Sequence, residues 1–366
     1  MLDLIKIRQD LHRIPELGFQ EFKTVKYIKT ILSKFPNLII HEFDFPAIVA
    51  EYKVNDDEYK IFRADMDALP ILEKTGVDFA SEHIGKMHAC GHDVHMTILI
   101  GLIEKVISSL PKQNILFVFQ PAEEGFGGAE RLLSTNFFYD YNIESCYALH
   151  VNGALPIGTI SSKPGIFFAN TQELELSFKG VSAHVAFPEK GKNALDAGVD
   201  FYRKFKVELQ KNFPEKKRVI CGLGKMEAGT VMNAVPAFCT FHGTIRAFTQ
   251  DDHLSLKELL HKVAEDVAKE HKLDFELNWH AFYKEVNNNE DLFVKLQQVI
   301  GGTKYKMITS EQVFTGEDFG YFTALYPGLL FWLGANQGVS QDLHSDKFLP
   351  AEESIEVGVE VLYKMI

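Results

Sequence analysis

Three histidines, a cysteine and an aspartate crowd into His88-Ala89-Cys90-Gly91-His92-Asp93-Val94-His95. A thiolate and an imidazole are good ligands for first-row metals. The glycine between Cys90 and His92 permits a tight turn that aims both side chains at one point. The plainer alternative is a polar loop capping the next helix, with Asp93 as the N-cap. His88 and His95 suit a supporting role better than direct ligation.

A second group is Gln120-Pro121-Ala122-Glu123-Glu124-Gly125, at the end of an apolar run. Adjacent carboxylates repel each other unless a cation stands nearby, and a metal would supply that charge. One carboxylate could then coordinate while the other faces a water, which is the arrangement hydrolysis needs. An exposed acidic turn is the bland alternative. A third group is Arg63-Ala64-Asp65-Met66-Asp67. Carboxylates at i and i+2 of a strand share a face, so in a buried strand a metal or an ordered network must take at least one. His150 and His344 are isolated, and each gains weight from following an apolar strand.

Those groups need elements to position them. Leu2 to about Ser33 has helical spacing with a break at Ile14-Pro15-Glu16-Leu17-Gly18. Strands are expected from Ile39 onward, at Tyr59–Arg63 running into the acidic turn, at Asn114–Phe119, and at Glu144–Leu149 ending at His150. Met96 to Leu110 reads as a helix opening just after the His-rich loop. Short apolar strands alternating with helices predict an α/β fold with a mostly parallel sheet covered by helices. Ligands in such folds bind beyond the carboxyl ends of strands. Here three successive strand ends carry Asp, Glu and His.

The pattern changes after about Thr171. Glu173–Phe178 and Phe238–Arg246 alternate with period two, and Ala194–Gln210 and Asp252–His271 are amphipathic helices. An inserted α+β domain is therefore expected over 171–283, with the α/β domain comprising 1–170 and 284–366. It resumes with a helix from Glu290, a strand at Leu329–Gly334 and a last helix from Ala351. At 366 residues two domains are the ordinary expectation. The net charge of -12 argues against nucleic acid as a partner, because a polyanion calls for a basic stripe. The short basic run Lys216-Lys217-Arg218 reads as a solvated face. No run approaches the ~18 apolar residues of a membrane span. Four cysteines without a CxxC pair predict no disulfide framework, and together with a charged N-terminal stretch they suggest a cytoplasmic chain.

These residues resemble the M20 metallopeptidase family, among its aminoacylase- and hippurate-hydrolase-like amidohydrolases. The strings that carry the likeness are Asp10–Phe19, Arg63–Pro70, His88–Asp93, Gln120–Gly125, Gly180-Val181-Ser182-Ala183-His184 and Thr315–Gly320. Within that family the chain looks most like the branch that deacetylates N-acetyldiaminopimelate in bacterial lysine biosynthesis. The resemblance implies a zinc-peptidase-like catalytic domain with two divalent metal ions (Zn, Mn, Co or Ni) and a lid that also forms a homodimer. It implies Cys90, His92, Glu124, His150 and His344 as ligands, and Glu123 as general base and acid. Asp65 or Asp67 would orient a ligand or bridge: counting back from Pro70 favours Asp67, and the Arg-Ala-Asp string favours Asp65. His184 would polarise the scissile carbonyl in the partner subunit, and Asn233 and Arg246 would contact the substrate carboxylate. The implied reaction is hydrolysis of an N-acyl amino acid, with N-acetyl-LL-2,6-diaminopimelate giving LL-2,6-diaminopimelate and acetate. Hippurate, other N-acyl amino acids or dipeptides are alternative substrates, and a non-catalytic metal-binding protein is the alternative of a different class.

Overall fold

Apolar runs short enough to be strands are shielded from solvent along their whole length: every residue of Tyr59–Asp65 and Asn114–Gln120 is buried. The computed structural model describes residues 1–214, 219–336 and 338–366, so the Lys216-Lys217-Arg218 run lies outside the described residues. The chain divides into two compact units. The larger comprises Met1–Phe167, Val286–Gln312 and Glu317–Ile366, and the smaller Phe168–Glu285 with Val313–Gly316. The short Val313–Gly316 segment, not expected in the insert, is tied there by Ala169 N donating to Val313 O at 3.1 Å and by Arg246 Nη1 donating to Phe314 O at 2.6 Å.

The larger unit begins with α1 (Leu4–Arg13), α2 (Phe22–Leu32), β1 (Ile39–Glu42), β2 (Ile48–Tyr52) and β3 (Tyr59–Asp65). Next come α3 (His92–Ser109), β4 (Asn114–Gln120), α4 (Gly128–Leu133), β5 (Ile143–Pro156), β6 (Thr159–Ser162) and β7 (Gly165–Phe168). The smaller unit holds β8 (Asn170–Lys179), α5 (Ala194–Asn212), β9 (Val219–Ala228), β10 (Phe238–Ala247), α6 (Gln250–His271) and β11 (Asp274–Tyr283). The chain returns through β12 (Val286–Asn288), α7 (Glu290–Gly301), β13 (Lys306–Thr309), α8 (Gly320–Thr323), β14 (Gly328–Asn336) and α9 (Glu353–Lys364).

Eight strands of the larger unit form one sheet in the order β1-β2-β4-β3-β5-β14-β6-β13. Its centre, β4-β3-β5-β14, is parallel, while β1, β2 and the β14–β6 pair are antiparallel. The fold is thus the expected mostly parallel sheet flanked by helices. Helix α3 packs on β3 and lies against α1 and α9. Its Ile98, Leu99, Leu102 and Ile103 are almost wholly buried, each contributing about 1.5–3 kcal/mol by leaving water.

Register explains the strand ends. Asp65 pairs with Gln120, so β3 and β4 stop side by side and their loops start together. Strand β5 does not stop at His150 as expected but runs to Pro156, because β14 keeps pairing with it past that point. His150 sits two residues beyond Ala148, the partner of Arg63, and is therefore level with the end of β3. The smaller unit is a four-stranded antiparallel sheet ordered β11-β8-β10-β9. Phe201 and Phe205 of α5 and Leu256, Leu260 and Val267 of α6 cover one face of it. Asn193 and Thr249 cap these helices by accepting from Leu195 N and Asp252 N.

Candidate metal centre

Helix α3 starts four residues earlier than its periodicity suggested. Gly91 is its N-cap at φ +84°, a conformation that suits glycine, and a Cβ there would stand 2.4 Å from Val151 Cγ2. Asp93 is therefore not the cap. It pairs instead with Arg8 Nε at 2.9 Å and His12 Nδ1 at 2.8 Å. The early start places His92 and His95 in the helix's first turn, pointing toward the ends of β3 and β5.

Each histidine's role follows from its hydrogen bonds. His92 Nδ1 donates to Asp67 O at 2.8 Å, and its Nε2 is buried without a hydrogen-bond partner. His150 Nδ1 donates to Val151 O at 2.8 Å, and its Nε2 faces Cys90 Sγ at 3.3 Å. An orienting bond on one nitrogen, with the other turned toward a shared focus, is the usual arrangement of a metal-binding imidazole. His95 differs, because Asp65 Oδ1 lies 2.6 Å from its Nδ1 and Val151 N donates to its Nε2 at 2.9 Å. Both its nitrogens are used, so it supports its neighbours. His88 is buried with both ring nitrogens unpartnered, and burial lowers it to about 4.

The five expected ligands come together. Cys90 Sγ is also 3.4 Å from His344 Nε2, and His344 Nε2 is 3.2 Å from Glu124 Oε1. Two donor sets, Cys90-His92-His150 and Cys90-Glu124-His344, each hold their ligand atoms within 4.8 Å of one another, and Cys90 is common to both. His92, Glu123 and Glu124 form a third such group linking them. His344 adopts φ +64° and its N–H donates to Ala89 O at 2.9 Å, so its backbone is held in an uncommon conformation against the cysteine loop.

The charges here call for cations. Burial, with Glu124 and Glu123 close by, pushes the Cys90 thiol well up. Burial opposes charging His92, yet Asp65, Asp67 and Glu124 outweigh it and raise the ring to about 10. A buried thiol, imidazoles anchored through one ring nitrogen and a carboxylate suit first-row divalent metals. Glu123 stands beside this cluster under different pressure. Burial, then Glu317, Glu124, Asp318 and Asp67, raises its carboxyl well above the usual range. A proton acceptor tuned upward in this way suits catalysis near neutral pH.

Asp65 and Asp67 do not share a strand face, because β3 ends at Asp65 and Asp67 lies in the following loop. Asp65 is taken up by His95 and by Arg63 Nη1, at 2.7 Å. Asp67 accepts from Glu123 N at 2.9 Å and Glu124 N at 2.8 Å, and so sets both carboxylate-bearing residues. Sequence reasoning gave no role to Glu317 and Asp318. Both are buried, ion-paired with Arg63 Nη2 at 3.2 and 2.7 Å, and grouped with Glu123. Burial raises them to about 7 and about 6 against the pull of Arg63. The adjacent acids of Thr315-Gly316-Glu317-Asp318 were the available signal, the same doublet that drew attention to Glu123-Glu124.

The remaining expected residues lie in the smaller unit. His184 and Asn233 are exposed neighbours on two connected loops: Val185 N donates to Asn233 O at 3.0 Å, and His184 bridges to Ala234. Arg246 is half-buried at the other end of β10, with Phe314 O on its Nη1.

Residues 61–366 match the model of peptidase family M20/M25/M40. The chain is 38% identical to the N-acetyldiaminopimelate deacetylase of Oceanobacillus iheyensis, over 100% of this chain and 99% of that one. It is 36% identical to the N-acetyldiaminopimelate deacetylase of Bacillus subtilis, over 98% and 96%. Among solved structures, a dinuclear metal-binding peptidase of the M20 family from Bacillus subtilis superposes with a TM-score of 0.84 at 29% identity, over 99% of this chain and 96% of that one.

Proposed function

Because the chain belongs to peptidase family M20/M25/M40, we propose that it is a two-metal amidohydrolase whose substrate is N-acetyl-LL-2,6-diaminopimelate, released as LL-2,6-diaminopimelate and acetate. The observation that carries this reading is the convergence of Cys90, His92, Glu124, His150 and His344 beside Glu123. Relatives named for this deacetylation match over the full length of the chain. Those five side chains would hold two divalent ions, which when bound would supply Lewis acidity for the amide carbonyl and lower the pKa of a water.

The chain's own residues do the rest. Glu123 takes a proton from the attacking water as its oxygen bonds to the acetyl carbon. It returns that proton to the amine nitrogen as the C–N bond breaks, leaving acetate and a free amino acid. Asp67 fixes Glu123 and Glu124 through their N–H groups. Arg63, Glu317 and Asp318 keep a buried charge network against Glu123, and Asp65 holds His95 in place beneath His150.

His184 and Asn233 would act on the oxyanion and substrate from the partner subunit, and Arg246 would grip the substrate carboxylate with its fork. Eight residue steps of β10, roughly 26 Å at ~3.3 Å per residue, separate its Phe238 end beside Asn233 from Arg246, which favours their serving different subunits' sites. A homodimer through the smaller unit is supported by an exposed apolar stripe on α5, Leu195, Val199 and Tyr202, next to Met226 on the edge strand β9. No described helix is long and apolar enough to cross a membrane.

The test is acetate release by the metal-reconstituted protein from N-acetyldiaminopimelate, N-acetyl amino acids, hippurate and dipeptides. Preference for the diamino diacid by at least ten-fold in kcat/KM supports the reading. Preference for hippurate or a dipeptide would reassign the substrate within the same chemistry, and metal binding with no hydrolysis of any of them would refute the enzyme.

A further inference from the structure

Three successive N–H groups in the loop after β4 end on carboxylates from elsewhere in the chain. Glu123 and Glu124 donate to Asp67, while Ala122 N donates to Glu21 Oε1 at 2.8 Å. Glu21 occupies the N-cap of α2, a position whose side chain often accepts from the helix's own first N–H groups. It makes no cap bond. Glu16 Oε2 does that work, accepting from Lys23 N at 2.8 Å and from Thr24 N at 3.0 Å. The Glu21 carboxylate is thereby diverted into the interior, where it is fully buried and its Oε2 has no hydrogen-bond partner.

The contact fixes a strained point. Ala122 is held at φ +57°, a left-handed conformation uncommon for a residue with a Cβ, and its O accepts from Gly128 N at 3.0 Å. Gly18 lies flat on the same loop: a Cβ there would stand 3.2 Å from Ala122 Cα and 2.6 Å from Phe126 Cδ2. The segment also reaches the other carboxylate loop, since Ala68 N donates to Glu16 O at 2.8 Å. Residues 16–21 thus clamp the Asp67 loop and the Glu123–Glu124 loop together.

Resting on the assignment of Glu123 as base and Glu124 as ligand, we propose that Glu21 is a positioning residue for both, acting through Ala122 N. Burial, then the charge of Asp67, raises its carboxyl to about 8, so a neutral acid offers its carbonyl oxygen to Ala122 N. A glutamine amide oxygen can copy that contact.

The experiment compares Glu21→Gln, Glu21→Ala and Glu21→Asp with the wild type. It reads zinc affinity by titrating metal into the apo-protein, kcat and KM for acetate release, and the melting temperature. Glu21→Ala is expected to lose about ten- to a hundred-fold in kcat and in affinity for the weaker zinc, the usual cost of removing a group that orients a ligand, with KM within about two-fold. Glu21→Gln should stay within about three-fold of wild type in both. If the alanine variant does not fold, Glu21→Asp, which withdraws the carboxyl by one methylene, should show the kcat loss in a folded protein. Wild-type kcat and zinc affinity in the alanine variant (or in the aspartate variant, should alanine not fold) would overturn the proposal, as would a glutamine variant as impaired as alanine. A wild-type protein that binds no zinc would instead defeat the metal-site reading itself, so the two failures are distinct.

Discussion

Cys90 Sγ stands 3.4 Å from His344 Nε2, although 254 residues separate them. Nothing in ordinary core packing asks for a thiol against an exposed imidazole whose backbone sits at φ +64°. The pair makes sense as two ligands drawn to one cation, with Cys90 facing His150 on its other side.

Glu123→Gln keeps the size of the side chain and removes its ability to carry a proton. The variant is expected to bind metal as the wild type does and to lose about a hundred- to ten-thousand-fold in kcat. Elemental analysis beside an acetate-release assay checks both. Full activity with full metal content would remove Glu123 from the mechanism.

Asp67 and Asp65 are expected to fail differently. Asp67→Ala leaves two N–H groups without acceptors, each worth about 1–3 kcal/mol if buried, and frees the carboxylate loop. Its main loss should be in metal affinity and kcat. Asp65→Ala unpairs part of a buried ion network around Arg63, a change that typically costs about 3–5 kcal/mol, so its main loss should be in melting temperature. Thermal unfolding and zinc titration of the two variants side by side would show the order, and the reverse order would contradict the division of labour.

How much of this was legible beforehand differs by residue. Glu124, His150 and His344 stand out because a parallel sheet collects chemistry at its strand ends, and Cys90 because of the crowded loop before α3, while their grouping as one ligand set is what the family resemblance implies. The choice between Asp65 and Asp67 could not be made, since it depends on where β3 lets go of β4, and register is a long-range property. The start of α3 was misplaced for a similar reason: Gly91 caps the helix in a turn packed against Val151, sixty residues away. Glu317 is farther still from its partner Arg63, and no local periodicity marks a buried acid whose counter-charge lies in another strand.

The buried His12–Glu73 pair gives a pH dependence of stability. Burial alone would raise the Glu73 carboxyl, but hydrogen bonds from His12, Thr75 and Ser81 N outweigh it and hold it down to about 2 from an ordinary 4.5. A lowered acid stabilises the fold above its unfolded value, and that contribution fades as pH falls from about 4.5 toward 2. His12 is raised: burial disfavours its charge, and Asp93 and Glu73 overcome this. Its contribution is complete below 6.5 and fades as pH climbs through the folded value. The pair is therefore strongest between about pH 4.5 and 6.5. In urea unfolding, Glu73→Gln should cost most stability in that window and least near pH 2. An equal cost at every pH would show that the pair's charges do not matter.

Chelation should destabilise the larger unit. A ligand that binds only the folded state at a hundred times its Kd stabilises by about 2.7 kcal/mol, and two sites should act together through Cys90. Removing metal ought to lower the melting temperature and restoring zinc ought to recover it. Cys90→Ala should respond to neither treatment. A chelator that strips the metal without moving the transition would show that the folded state does not bind it preferentially.

The central claim is that five side chains from distant parts of the chain hold two cations. Anomalous diffraction from crystals grown with zinc or manganese, collected at the metal's absorption edge, tests it most directly. The account calls for two peaks flanking Cys90 Sγ, one within bonding distance of His92 or His150 and the other of Glu124 or His344. A single peak away from Cys90, or strong peaks only elsewhere on the protein, would contradict it.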